Sequence, residues 1–293
     1  QYAEDMLVVE VENAYTNLQF LYEAQEAVEK GISAYEEVLR NTENMKNQGY
    51  AKESDVLLVK VGLSEVENKL IEINNNISNL SDYLSWLMGV ENEVVYTPTR
   101  ELSLLLDPVQ HADFSEARAD ILAMKSGIEA QNKMLSTSKN GLLPRLNAFG
   151  EFYYQDENIL GFGANAYMAG VSLSWNIFDG NKTLNSVKRN RIKRDKSQSE
   201  MKLHIEKSKL ELQKTQRELT AQEAKINLTQ TAKDQASEAL RILENRYAEG
   251  LEKTSDLLVA QAKELEKQVD YLEQIKDYNL LVIQIKFLTN NNN

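Results

Sequence analysis

Two aspartates in matching surroundings are the residues of this chain best placed to do chemistry. Asp55 lies in GYAKESDVLL, which begins at Gly49, and Asp256 lies in GLEKTSDLLV, which begins at Gly250. At the constant offset of 201 residues, Gly, Lys, Ser, Asp and one Leu coincide. A carboxylate following a Ser at the start of a helix caps it or offsets its dipole, worth about 0.5 to 2 kcal/mol for a cap. Catalysis has less to stand on. Two His and no Cys leave little for a soft metal site, and there is no Gly-rich phosphate loop, nucleophile elbow or His-bearing metal motif. His111 beside a connector and His204 within a charged helix read as surface residues. The other carboxylates read as helix-surface solvation and ion pairing. No catalytic residue, cofactor site or metal site is assigned, and the chain is not read as an enzyme.

What must position the two aspartates is a pair of long helical hairpins. Each matched stretch ends one helical pattern and starts another, so the chain reads as a duplicated helical hairpin, with a repeat too long for a solenoid unit. Only 12 Gly and 3 Pro punctuate 293 residues, so turns are few and elements long. A net charge of −12 disfavours nucleic acid and favours a solvated, cation-attracting surface. The absence of Cys fits an oxidising envelope. No run of about twenty apolar residues exists to make a transmembrane helix, but strands of a β-barrel give no such signal. Nothing at Gln1 resembles a signal peptide, and the chain starts inside an amphipathic pattern, so it reads as a mature or truncated product.

The first hairpin spans 1–89 with its tip at 47–52. Its seam runs Leu7, Val11, Ala14, Leu18, Leu21, Val28, Ile32, Tyr35 and Leu39, interrupted by Gln25 and Thr42. The returning seam is Val56, Val59, Leu63, Val66, Leu70, Ile73, Ile77, Leu80, Leu84 and Leu87, closed by Gly89 as a cap. The short link predicts antiparallel packing. A connector, 90–110, is kept from helix by Pro98 and Pro108, and a further helix is predicted over 111–141. From Leu146 to Asn181 there is no Lys or Arg, and eight aromatics fall between Phe149 and Phe178. There Tyr167, Ala169, Val171, Leu173, Trp175 and Ile177 alternate with smaller or polar residues, a strand period. A β-hairpin is predicted over 145–178, its turn at 155–165. Two readings stay open: a pair of outer-membrane strands, whose edges demand partners in lipid, or an edge hairpin on a soluble helical domain. The second helical hairpin spans 180–289 with its tip at 248–253, and a disordered tail is expected over 290–293. The cluster Lys182, Lys188, Arg189, Arg191, Lys193, Arg194 and Lys196 reads as a solvated helix face below the membrane, with lipid head groups as a second option.

GVSLSWNIFDG (170–180), GLLPRLNAFG (141–150) and RYAEGLEKTSDLLVAQ (246–261) resemble the TolC family of outer-membrane efflux proteins, and the likeness extends over essentially the whole chain. The resemblance implies a mainly α fold with a small β part: long antiparallel helical hairpins forming an α-barrel tunnel, and strands that join a trimeric twelve-stranded barrel. It implies a homotrimer in the bacterial outer membrane with most of each chain in the periplasm, meeting a periplasmic adaptor and through it an inner-membrane pump. The function implied is a passive conduit for efflux or type I secretion. Phe152, Tyr154, Tyr167, Val171, Leu173, Trp175 and Phe178 become residues of membrane strands. Gly49, Tyr50, Gly250 and Leu251 become tip residues that contact the adaptor, although Tyr50 stands where the family has Leu. Asp55 and Asp256 become carboxylates at the pore constriction, where a threefold ring would select cations; Val259 stands where a further Asp can follow. Because the first half lacks a strand pair ahead of its long helix, the repeat implies that the native protein extends upstream of Gln1. The competing class is a periplasmic coiled-coil adaptor or soluble scaffold, for which lipoyl-like modules would be expected.

Overall fold

The computed structural model describes residues 2–90, 94–105, 112–153 and 166–290. Its elements are α1 (Tyr2–Asn47), α2 (Glu53–Met88), α3 (Ala119–Asn140), β1 (Arg145–Tyr153), β2 (Ala166–Ser174), α4 (Lys182–Ala248) and α5 (Thr254–Thr289). The chain is mainly α, with one antiparallel two-stranded sheet among the described residues. Contacts divide it into two units, residues 1–118 with 208–293, and residues 119–207.

In the first unit the apolar seams of α1 and α2 bury each other. Ala14 and Leu18 cluster with Ile77, Leu84 and Leu87. Further along α1, Val28, Tyr35 and Val38 meet Val59 and Val66 near the start of α2, so the two helices run antiparallel. The same stretch of α1 also packs against Leu257 and Leu265 of α5. Gly62 makes room for a side chain of α1: a Cβ there would lie 2.5 Å from Cε1 of the Tyr35 ring. Leu212, Leu219 and Ile226 of α4 cluster with Tyr278, Val282, Ile285 and Leu288 of α5, which completes the second helical hairpin. Leu7, by contrast, is exposed, so the buried part of the α1 seam starts after it.

The seam of α4 is one that apolar periodicity does not reveal. Ser208, Leu212, Thr215, Leu219, Gln222 and Ile226 follow heptad spacing and are all buried, but every second member is polar. Gln222 satisfies its amide by donating to the carbonyl and side-chain oxygens of Gln274, each at 3.0 Å. Thr215 donates back to the Glu211 carbonyl at 3.0 Å. A polar seam side chain is tolerated because its hydrogen bonds are made inside the pair.

The connector, described over 94–105, has no regular structure and takes its partners from helix side chains. Such a segment must satisfy its backbone groups outside any ladder. Tyr22 donates to the Tyr96 carbonyl at 3.1 Å, Gln19 to those of Arg100 and Glu101 at 3.0 and 3.2 Å, and the Tyr96 N–H donates to Ser81 at 3.1 Å. Asn279 of α5, only 2% exposed, acts as a clamp. Its Oδ1 accepts from the Leu105 N–H at 2.9 Å and its Nδ2 donates to the Ser103 carbonyl at 2.8 Å. Pro108 and His111 lie outside the described residues.

In the second unit α3 begins at Ala119, not at His111 as the sequence predicts. Residues 112–118 are instead held by local and tertiary contacts. The Ala117 N–H donates to Ser115 Oγ at 3.2 Å, a competing turn bond, and the Arg118 guanidinium, in the first unit, lies 4.9 Å from the Phe287 ring centre. Ile121, Ile128 and Leu135 form the buried stripe of α3. Asn190 donates to Ser138 at 2.6 Å, and His204 pairs with Asp120 at 2.7 Å. His204 is therefore half-buried in a polar contact, a correction to its reading as a plain surface residue. Of the expected tail, Asn290 is the left-handed cap of α5 and the rest lies outside the described residues.

Replacing Asn279 by Ala leaves a buried N–H and a buried carbonyl without their partner, so the chain is expected to lose about 2 to 4 kcal/mol of unfolding free energy. Urea unfolding monitored by circular dichroism measures it, with the exposed Asn227→Ala as control; equal midpoints for the two variants would count against the clamp.

Candidate functional site

The two tips share one backbone. At the first, Gly49 adopts φ +84° and at the second Gly250 adopts φ +74°, a region where a Cβ is penalised. The Tyr50 N–H donates to the Met45 carbonyl and the Leu251 N–H to the Arg246 carbonyl, both at 2.8 Å. Gly49 and Gly250 donate to Lys46 and Tyr247 carbonyls, both at 2.9 Å. This pair of bonds ends each helix with its last carbonyls satisfied. A charged pair then clips each turn, Lys46 with Glu53 at the first and Arg246 with Glu252 at 3.0 Å at the second. The tip side chains Tyr50 and Leu251 stand out from these turns, 79% and 63% exposed.

The aspartates part company here. Asp55 accepts the N–H of Lys52, the residue before α2, at 2.9 Å, so its carboxylate is committed to capping. Asp256 is exposed, and its carboxylate accepts from the Ser255 hydroxyl at 3.3 Å. Behind the tips the two hairpins are tied by a buried hydroxyl pair that apolar patterning misses. Thr42, the interruption of the α1 seam, lies 2.7 Å from the Tyr247 hydroxyl, and Thr254 donates to the same oxygen at 3.4 Å. A cleft of about 500 Å³ opens beside them, lined in part by Glu37, Asn41, Glu244 and Gln261. Partial burial, reinforced by the like charges of Glu37 and Glu264, holds Glu244 above the usual carboxylate range.

The sheet sorts its residues by face. Opposite residues in antiparallel strands point the same way, and the register pairs Leu146 with Leu173, Ala148 with Val171, Gly150 with Ala169 and Phe152 with Tyr167. That face is wholly apolar apart from the Tyr167 hydroxyl. The other carries Asn147 with Ser172, Glu151 with Met168, and Phe149 with Gly170. The Phe149 ring covers Gly170 so closely that a Cβ there would meet it at 2.7 Å. The apolar face is uncovered: Tyr167, Val171 and Leu173 are 86%, 69% and 70% exposed. Tyr154 lies outside the described residues. Trp175 and Phe178, expected in a strand, lie beyond the end of β2 at Ser174. The reason is opposite them: pairing of Arg145 with Ser174 would set Trp175 against Pro144, which has no N–H to give a ladder. Trp175 instead donates its indole N–H to the Leu142 carbonyl at 3.2 Å.

Asp179 organises the start of α4. Its carboxylate accepts from the Thr183 N–H at 2.8 Å and also from the Thr183 hydroxyl, and these bonds hold it below the usual carboxylate range. Gly180 and Asn181 follow in left-handed conformations. Among the described residues no three His, Asp or Glu side chains are grouped to hold a metal ion, and no helix is long and apolar enough to cross a membrane.

The profile of the family described as Outer membrane efflux protein matches residues 113–291. The chain belongs to that family. Its place is accordingly the outer membrane and its family one of efflux proteins, which speaks against the adaptor and scaffold readings. Solved structures share the fold. VceC, an outer membrane protein of Vibrio cholerae, superposes with a TM-score of 0.87 at 22% identity, over 98% of this chain and 70% of its own. A membrane protein of Pseudomonas aeruginosa gives 0.87 at 16% identity over 98% and 69%. The CmeC outer membrane channel of Campylobacter jejuni gives 0.86 at 16% identity over 98% and 63%. The chain thus spans about two thirds of the length of these structures. No curated protein matches it.

Two outcomes follow from the bonds at the tips and at the start of α4. In a double-mutant cycle, Thr42→Val and Tyr247→Phe are expected to couple by about 1 kcal/mol in unfolding free energy; additive effects would mean that the hydroxyl contact contributes nothing. The lowered pKa of Asp179 implies stability that is present above its unfolded value, near 4, and lost as pH falls through the lower folded value. Protection of the Thr183 amide, corrected for its intrinsic exchange rate, should therefore fall with acidification below about pH 4. In Asp179→Asn it should be weak at every pH; an acid response that persists in this variant would assign the effect to another group.

Proposed function

We propose that the chain is a protomer of a trimeric outer-membrane conduit, which carries cargo passively outward from a periplasmic adaptor and an inner-membrane pump. The observation that carries this reading is the exposed sheet, one face of which is apolar at every opposed pair. Two strands leave unpaired backbone at both outer edges, which lipid does not tolerate. Their closure requires further strands from the rest of the protein and from other protomers. The apolar face, with Phe152, Tyr167, Val171 and Leu173, meets lipid, and the face with Asn147, Ser172 and Glu151 meets water. Trp175 and Phe178 then serve as interfacial aromatics at the strand end.

On the same reading the helical hairpins wall the periplasmic tunnel, with the tips as its docking end. Leu251 and Tyr50 are the exposed tip side chains offered to the adaptor, presented by the Gly250 and Gly49 turns. Three copies of Asp256, exposed and outside any backbone cap, form the carboxylate ring at the constriction. Asp55 contributes less, because its carboxylate is engaged with Lys52.

Planar-bilayer recording of the full-length protein tests it. The wild type is expected to form cation-selective pores, Asp256→Ala to lower that selectivity, and Val171→Arg to abolish insertion at a cost of about 2 to 4 kcal/mol for a charge on the lipid face. Unchanged selectivity in Asp256→Ala would remove the ring, and undiminished insertion of Val171→Arg would remove the assignment of the lipid face.

A further inference from the structure

The distribution of basic residues around the sheet is uneven in a way that pore formation does not require. The 36 residues from Leu146 to Asn181 contain no Lys or Arg, yet Arg145 stands directly before them and Lys182 directly after. Seven of the chain's 33 basic residues then fall between Lys182 and Lys196, against one acidic residue, Asp195, in a protein whose net charge is −12. Within the second unit these groups gather at one end of the sheet. Arg145 pairs with Ser174, the last residue of β2. The end of α3 adjoins the start of α4, because a Cβ on Gly141 would touch Thr183 at 3.2 Å. Lys182, Lys188, Arg189, Arg191 and Lys193 are exposed and have no ion-pair partner among the described residues.

Fifteen residues of helix with so much unneutralised charge repel one another. Partners that offset the repulsion must carry negative charge and lie at the strand end of the unit. We propose that this band binds the headgroups of anionic phospholipids in the periplasmic leaflet of the outer membrane. The inference rests on the reading of β1 and β2 as membrane strands and adds the chemistry at their periplasmic boundary. Lys182 to Arg189 covers about 10 Å of helix rise, comparable to the headgroup layer that borders the hydrocarbon core. Arg191 and Lys193, one turn further, reach back along the helix, since helical side chains point towards its N-terminus, here the strand end. Guanidinium groups suit phosphate because they donate two parallel hydrogen bonds to it. Proximity of the sheet decides for a lipid over a soluble anion, because the strands fix the band beside the bilayer. The chain's overall acidity works against nucleic acid as the occupant.

The test uses the full-length protein incorporated into nanodiscs of phosphatidylethanolamine and phosphatidylglycerol in equal parts. Lipid that stays bound on release into detergent is counted by native mass spectrometry. The wild type is expected to retain phosphatidylglycerol over phosphatidylethanolamine by roughly tenfold at low salt, and the ratio should fall as salt is raised. The variant Lys188→Gln/Arg189→Gln/Arg191→Gln/Lys193→Gln should enter the discs, keep its helical circular dichroism and show a ratio near unity. Insertion of the wild type without preference, or a preference that the variant retains, overturns the proposal while leaving the membrane strands intact. Failure to enter nanodiscs of either lipid alone overturns both.

Discussion

Burial of the α1 seam on two sides is the interaction on which the rest of the first unit depends. Helices of this length draw most of their stability from packing against neighbours, not from intrinsic propensity. α1 supplies that packing twice, to α2 and to α5. Tyr35 is the point where the three meet: its ring fills the space left by Gly62 on α2, and its hydroxyl donates to the Leu258 carbonyl on α5 at 3.4 Å. A seam residue that touches three helices fixes their relative register as well as their distance. The duplicated hairpins are therefore joined through close-packed side chains, which have few alternative arrangements, before either tip turn contributes.

Polar residues placed on buried faces refine what the apolar seams begin. Gln222 between α4 and α5, Thr42 between α1 and Tyr247, and Asn279 beneath the connector are each buried, and each has a hydrogen-bond partner on a neighbouring element. Leucine at these positions would bury as much area but could slide by a heptad. A buried amide that must find one particular carbonyl cannot, which is how single polar seam residues specify register. In Asn279 the same device anchors a segment that contains Pro98 and has no ladder of its own.

These distinctions explain what could be read from the sequence. The helices of the first hairpin and their antiparallel sense were legible because Val28, Val59, Val66 and Ile77 recur at heptad spacing and are buried. The strand pair was legible because Tyr167 to Leu173 alternate, and the register then resolves β1, whose own alternation is blurred by Phe149 lying over Gly170. The seam of α4 was not legible, since Ser208, Thr215 and Gln222 look like surface residues until their partners are known. Nor was the late start of α3, just after Arg118, whose guanidinium lies over a phenylalanine, Phe287, far along the chain. The end of β2 was legible only in part: Pro144 is visible in the sequence, but its effect on Trp175 needs the register.

The two tips bring these levels together. Of the residues they share, Gly49 and Gly250 are demanded by the backbone, since both hold positive φ, while Lys52 and Lys253 take the extended conformation before the returning helix. Asp55 and Asp256 occupy the first turn, where a carboxylate offsets the dipole. Repetition of the Gly and the Asp across the duplication is therefore accounted for by turn and helix-start geometry. What differs is free of that demand. Tyr50 opposite Leu251, Ala51 opposite Glu252 and Glu53 opposite Thr254 leave the two bonds that end each helix in place while altering what the turn presents. Thr254 turns inward to Tyr247, whereas Glu53 turns to Lys46. Asp256 lies outside the kind of cap that engages Asp55, so two turns of one backbone differ in whether the helix-start carboxylate is tied to the backbone.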